Sequence, residues 1–161
     1  MSEAKTEKPR VPAVEGWFTM SDPPTLTGTR CTACKTVFFP RETVACRNPA
    51  CRSTSFDEYA LSRRGKLWSY TTAHYQPPPP YIAPDPFVPY SIAVVELEAE
   101  QMTVLGQVPA SVPAESLVVG MEMELVVEKL YEDEQNEYVV WKWTPVADGA
   151  GATQQVSGGA Q

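Results

Sequence analysis

Residues 31–51 read CTACKTVFFPRETVACRNPAC and hold all four cysteines of the chain, arranged Cys31-x2-Cys34-x11-Cys46-x4-Cys51. Two close pairs separated by a short hairpin can carry four sulfurs to the corners of a tetrahedron around one zinc ion. Two disulfides are the competing reading, and they belong to an oxidising compartment. A thioredoxin-like redox motif fits less well, because one pair suffices for it and no strand-helix-strand pattern surrounds these residues. Four thiolates leave no coordination position open to water or substrate, so a zinc held this way is structural and not catalytic. Phe38, Phe39 and Phe56 flank the cysteines. They read as packing beneath a small module before they read as a platform for stacked bases.

Upstream, Met1 to Arg10 is charged and has no apolar h-region, so nothing there directs export and the reducing cytoplasm is the expected compartment. Residues 1–10 are expected to be disordered. Residues 11–29 carry Trp17, Phe18, Met20 and Leu26, interrupted by Asp22-Pro23-Pro24, which breaks a continuous helix. One or two short helical turns are expected in this N-terminal segment. A zinc ribbon is expected over residues 30–60.

Downstream the pattern changes to period two. In Met121-Glu-Met-Glu-Leu-Val-Val-Glu128 the odd positions are apolar and three of the four even ones are Glu, which indicates a half-buried antiparallel strand. Lys66 to His74, Tyr90 to Glu98, Met102 to Val108 and Tyr138 to Trp143 are rich in β-branched and aromatic residues and read as four more strands. Five strands with little helix between them predict a small barrel or sandwich over residues 61–147. The acidic run Glu132 to Glu137 reads as the solvated tip of a hairpin joining the last two strands. The Gly/Ala/Gln/Ser tail, residues 148–161, has no large side chain to anchor it and is expected to be disordered.

The 161 residues are 43% hydrophobic and 20% charged, a globular composition. No apolar run approaches the roughly 18 residues of a helical membrane span, so a membrane protein is not expected. The formal charge of -7 disfavours binding to nucleic acid, which depends on neutralising phosphates. Its distribution is uneven: Arg30 to Lys66 holds eight basic and three acidic residues, and Asp85 to Asp148 two basic and 13 acidic.

Catalytic groups are scarce. The one histidine, His74, stands alone at a strand end, and no cysteine remains once the four are committed to metal. There is no G-x-S-x-G elbow, no G-x-G-x-x-G turn and no phosphate-binding G-x-x-x-x-G-K-[ST] loop. No catalytic residue is assigned, and the chain reads as a binding module.

Two features could carry binding. Arg63-Arg64-Gly65-Lys66 sets three cations before a strand with Trp68 and Tyr70, able to hold phosphates beside an aromatic face; the plainer reading is a solvated turn with Gly65 supplying φ > 0. Gln76 to Pro89, QPPPPYIAPDPFVP, has seven prolines in 14 residues and should be extended and pre-ordered. Tyr81, Ile82, Phe87 and Val88 among those prolines offer apolar anchors for a partner, or else form a rigid lid over the protein's own barrel.

The order of these pieces carries a resemblance. The cysteine cluster is followed by Leu61-Ser-Arg-Arg-Gly-Lys-Leu-Trp-Ser-Tyr-Thr71, the proline-rich loop, Val88-Pro-Tyr-Ser-Ile-Ala-Val-Val-Glu-Leu97 and Val119-Gly-Met-Glu-Met123. From Trp17 to Pro145 the chain resembles the acyl-CoA-associated family that joins a rubredoxin-like zinc ribbon to an OB-fold. It departs from that family at Lys35, where a glycine usually follows the first knuckle, and in the x4 spacing of the second pair. The resemblance implies a mainly β protein: a short N-terminal helical segment, a ribbon with one structural Zn2+ on Cys31, Cys34, Cys46 and Cys51, and a five-stranded OB-fold barrel. It implies a noncatalytic companion of a thiolase-superfamily enzyme, a thiolase or a retro-aldolase of steroid side-chain degradation or another bulky acyl-CoA. In that setting Arg63, Arg64 and Lys66 would face coenzyme A phosphates, and Tyr81, Ile82, Phe87 and Val88 would dock a thiolase-like catalytic subunit. The alternatives are a nucleic-acid-binding OB module, disfavoured by charge, and a free-standing acyl-CoA-binding protein or weak hydratase.

Overall fold

In the computed structural model, which describes residues 7–147, nine strands account for nearly all regular structure. They are β1 (Arg10–Pro12), β2 (Thr27–Cys31), β3 (Val37–Phe38), β4 (Phe56–Ala60), β5 (Arg64–Ala73), β6 (Tyr90–Leu97), β7 (Met102–Gln107), β8 (Glu122–Glu132) and β9 (Glu137–Pro145). One 3-10 turn, Ala114–Ser116, precedes β8, and there is no α-helix among the described residues.

β5 to β9 form the five-stranded barrel. β5 pairs with β6 and β8, β6 with β7, and β9 closes the ring by pairing antiparallel with β8 and parallel with β7. This is the OB-fold connection order. The five strands expected from the sequence are all present. The alternation read at 121–128 has its physical basis here, since Met123 and Leu125 are fully buried while the intervening glutamates face outward. Glu132 to Glu137 turns the β8–β9 hairpin, with Asp133 Oδ1 accepting the backbone N–H groups of Gln135 (2.8 Å) and Asn136 (2.7 Å). The barrel interior is filled by Leu67, Ala93, Val95, Leu97, Val104, Met123, Leu125, Val139 and Trp143.

The expected N-terminal helical segment is absent. Thr19 N–H donates to the Thr25 carbonyl and Thr27 N–H to the Trp17 carbonyl, so residues 17–27 double back as an irregular hairpin around Asp22-Pro23-Pro24. Tertiary burial of the aromatic residues decides this. Phe18 and Leu26 are buried in the same core as the barrel, and Trp17 stacks on Trp141 at 5.8 Å. Nor is the whole of 1–10 loose. The Pro9 carbonyl accepts Glu137 N–H, and Arg10 opens β1, which lies parallel to β9. The remaining disorder expectations, residues 1–6 and 148–161, lie outside the described residues.

β2, β3 and β4 form a separate three-stranded antiparallel sheet, β3-β2-β4, that carries the cysteine knuckles. It is joined to the barrel through an aromatic seam, with Phe39 edge-on to Trp17 (5.6 Å) and Trp141 (5.9 Å). Two glycines permit close approach around this seam. A Cβ on Gly28 would lie 2.5 Å from the Phe38 carbonyl oxygen, and one on Gly106 would lie 2.7 Å from Trp143 Cδ1. Phe38 packs edge-on against Phe56 at 6.1 Å, so the phenylalanines flanking the cysteines serve packing.

Candidate metal centre and binding surfaces

Cys31 ends β2 and Cys34 follows in the turn to β3, while Cys46 and Cys51 lie on the long loop between β3 and β4. The knuckle closes through Lys35 N–H to the Cys31 carbonyl (3.0 Å), and the second loop through Cys51 N–H to the Asn48 carbonyl (2.8 Å). Lys35 adopts φ 64, the left-handed conformation that explains why glycine suits this position. The four sulfurs lie within 4.8 Å of one another, with Cys31 Sγ 3.8 Å from Cys51 Sγ and Cys34 Sγ 3.5 Å from Cys46 Sγ. None of the four is paired in a disulfide. A tetrahedron with metal–sulfur bonds of about 2.3 Å has sulfur–sulfur edges of about 3.8 Å. The cluster therefore fits one zinc ion, and its arrangement is that of a zinc ribbon. The thiols differ in character. The Thr36 hydroxyl and backbone amide beside Cys34 lower it to about 6, and burial pushes Cys46 up to about 12.

Arg64, Gly65 and Lys66 of the basic cluster open strand β5, with Arg63 in the bend just before it. Gly65 is extended within β5 and is required for a different reason: a Cβ there would lie 2.3 Å from the Glu96 carbonyl oxygen. Arg63 Nε donates to the Pro24 carbonyl (2.9 Å), and its Nη2 lies 3.5 Å from Glu124. Arg64 reaches Glu124 (3.4 Å) and Glu122 (3.9 Å). Lys66 is exposed, has no ion pair among the described residues, and stands in register between Glu96 and Glu122. An open groove of about 900 Å³ joins Arg64 and Lys66 to Glu96, Glu98 and Glu122. The three cations are thus gathered, but carboxylates stand beside them.

The proline-rich loop divides its four anchors. Tyr81 stacks on Tyr90 at 5.6 Å and Phe87 meets the same ring edge-on at 6.3 Å, while Ile82 and Val88 face outward. Gln107 Nε2 donates to the Tyr81 hydroxyl at 3.4 Å. The loop is therefore pinned to the barrel by two aromatics and presents two aliphatics to solvent. His74 is exposed just beyond β5.

Two features escaped the sequence reading. Glu100 is buried in the β6–β7 turn, where Oε1 accepts Ser62 N–H (2.7 Å) and the Ser62 hydroxyl (2.9 Å), fastening that turn to the β4–β5 junction. Trp68 is extruded by a bulge between Leu67 and Ser69 and is exposed. Consecutive Leu67-Trp68 in a period-two strand was its signal, since both cannot face one core.

A zinc ribbon joined to an OB barrel defines the class, and comparison with known proteins gives the family. Residues 22–57 match the rubredoxin-like zinc ribbon domain of ChsH2, and residues 58–128 match the C-terminal OB-fold domain of ChsH2. A DUF35 domain-containing scaffold protein of Methanocaldococcus jannaschii is 33% identical over 139 residues, covering 83% of this chain and 90% of the relative. One from Methanothermobacter thermautotrophicus is 33% identical over 109 residues, covering 67% and 75%. Among solved structures, a chain of the Ltp2-ChsH2(DUF35) aldolase is similar with a TM-score of 0.60 and 27% identity, covering 84% of this chain and 98% of that one. The chain belongs to the family of DUF35 domain-containing scaffold proteins.

Proposed function

We propose that this protein is the noncatalytic, zinc-containing accessory subunit of a thiolase-superfamily enzyme acting on acyl-CoA, a thiolase or a retro-aldolase for a steroid side chain or another bulky acyl group. The observation that carries the reading is the likeness to a subunit of an aldolase over nearly that subunit's full length, joined to relatives named as scaffolds. The chain's own chemistry agrees. Acyl-CoA condensation and cleavage need an activated nucleophile and acid-base groups, and the cysteines here are gathered in one metal-binding cluster that does not include the lone, exposed His74. Catalysis then belongs to the partner.

Cys31, Cys34, Cys46 and Cys51 ligate the structural zinc, which holds the ribbon sheet in shape. Ile82 and Val88 meet the catalytic subunit directly, while Tyr81 and Phe87 stiffen the loop behind them through Tyr90. Lys66, and Arg64 on exchanging Glu122 and Glu124 for phosphate, are the exposed cations that reach coenzyme A phosphates. Arg63, held by Pro24 and Glu124, positions them. The site of action is the cytoplasm.

Co-expression with the thiolase-superfamily subunits of the same organism tests the reading. One of them should co-purify at stoichiometric yield, and acyl-CoA turnover should require it. Turnover by this chain alone, abolished by His74→Ala, would overturn the reading. Arg64→Ala with Lys66→Ala should raise the complex's KM for acyl-CoA at low salt and leave assembly intact.

A further inference from the structure

Three of the four tryptophans are used by the fold: Trp17 and Trp141 stack at the seam, and Trp143 is fully buried. Trp68 is 61% exposed, extruded by the β5 bulge. Large aromatic side chains left in water by a fold that had other options are frequent at the energetic centres of interfaces.

Trp68 does not stand alone. Gly120 N–H donates to the Leu67 carbonyl (2.7 Å) and Leu67 N–H to the Met121 carbonyl (2.9 Å), bringing the loop with Val118 and Val119 beside the bulge. Those valines are 64% and 61% exposed. On the other side, Ser69 is in register with Val94, and Val94 with Leu105, which is 58% exposed. One row of mostly apolar side chains thus crosses the barrel from the β8 approach to β7. The next row is Thr71, Ile92 and Gln107, and beyond it Tyr90 is covered by Tyr81 and Phe87 of the proline-rich loop. The face is continuous with that loop.

We propose that this barrel face, centred on Trp68, is a protein-docking surface whose occupant is the catalytic subunit. The inference rests on the accessory-subunit reading above and adds to it the surface that carries most of the binding. Charge decides against the other occupants. The cations at the rim of the face are Lys66, flanked by Glu96 and Glu122, and Arg64, already paired with Glu122 and Glu124, so carboxylates offset them and the field is wrong for a nucleic acid. A second copy is disfavoured for a related reason. Among the described residues the rim carboxylates Glu96 and Glu98 have no ion pair, and most cations are already held by the chain's own carboxylates or carbonyls. The fitting partner has an apolar centre with arginine or lysine at its edge.

The test uses the full chain and the thiolase-superfamily subunit that co-purifies with it. Trp68→Ala should weaken that association about 30-fold or more by calorimetry, with zinc content and thermal midpoint unchanged. In the wild-type chain, tryptophan fluorescence should be quenched by acrylamide through Trp68 and become protected on adding the subunit. Val119→Glu should weaken binding independently. Unchanged affinity in both variants, with Trp68 still quenchable in the complex, overturns the docking face and leaves the accessory-subunit reading standing. Absence of any thiolase-superfamily partner removes both. Self-association, or binding of a single-stranded oligonucleotide, that is lost in Trp68→Ala assigns the face to another occupant and also overturns the proposal.

Discussion

The ribbon strands are five, two and five residues long, and those of the barrel run from six to 11. The barrel encloses Leu67, Val95, Leu97, Met123, Leu125, Val139 and Trp143 at essentially no exposure, whereas inside the ribbon the side chain buried to that degree is Cys31. A sheet this small cannot offset its chain entropy by apolar burial and needs a staple. The barrel can rely on packing. The same chain thus uses two sources of order, metal coordination on one side of the aromatic seam and the hydrophobic effect on the other.

The strongest challenge to this contrast is removal of one sulfur. Structural zinc contributes on the order of 10 kcal/mol to small metal-dependent folds. Cys46→Ser should therefore release the metal and melt the ribbon. Hydrogen exchange should show amides of β2 to β4 losing protection while β5 to β9 keep theirs; simultaneous loss in both would merge the two regions into one unit. The converse is Trp143→Ala, which should cost about 3–5 kcal/mol as a cavity in the barrel, read by chemical denaturation, while zinc stoichiometry stays at one per chain. Gly28→Ala tests the join. Its Cβ meets a backbone oxygen that cannot swing aside, so a loss of about 1–3 kcal/mol is expected, with β2 and β3 pushed apart.

The smallest effect concerns pH. The Asn136 and then the Gln135 backbone N–H groups hold the Asp133 carboxyl below the usual aspartate range. A lowered folded pKa gives stability that is present above the unfolded value of about 3.9 and fades as pH falls through the folded value. Amide protection factors at the β8–β9 tip, corrected for the intrinsic pH dependence of exchange, should therefore fall on acidification, and Asp133→Asn should flatten that dependence without touching the ribbon.

Much of this was legible in the residues. The cysteine spacing and the alternation at 121–128 each specify a local geometry that has few competitors, and both are present. The N-terminal segment was misread because Trp17, Phe18 and Leu26 have no local periodicity; their conformation is fixed by Trp141 and Phe39, residues distant in sequence. A turn at Gly65 is what the local freedom of glycine suggests, whereas the Glu96 backbone that crowds it is distant in sequence. The cations at 63–66 were visible as charges, but their pairing with Glu122 and Glu124 is set by the β5–β8 register.

The parallel pairing of β1 with β9 has a consequence for how the molecule comes into being. Arg10 and Glu137 are ion-paired across 127 positions of sequence. As the chain is synthesised from its N-terminus, the ribbon segment emerges complete and can load its metal while the barrel is still missing strands. β1 must wait: its neighbour is the last of the described strands to be made, and contacts of such separation are slow to form. The first of the described strands to be synthesised is thus among the last of them to be placed, by docking onto β9.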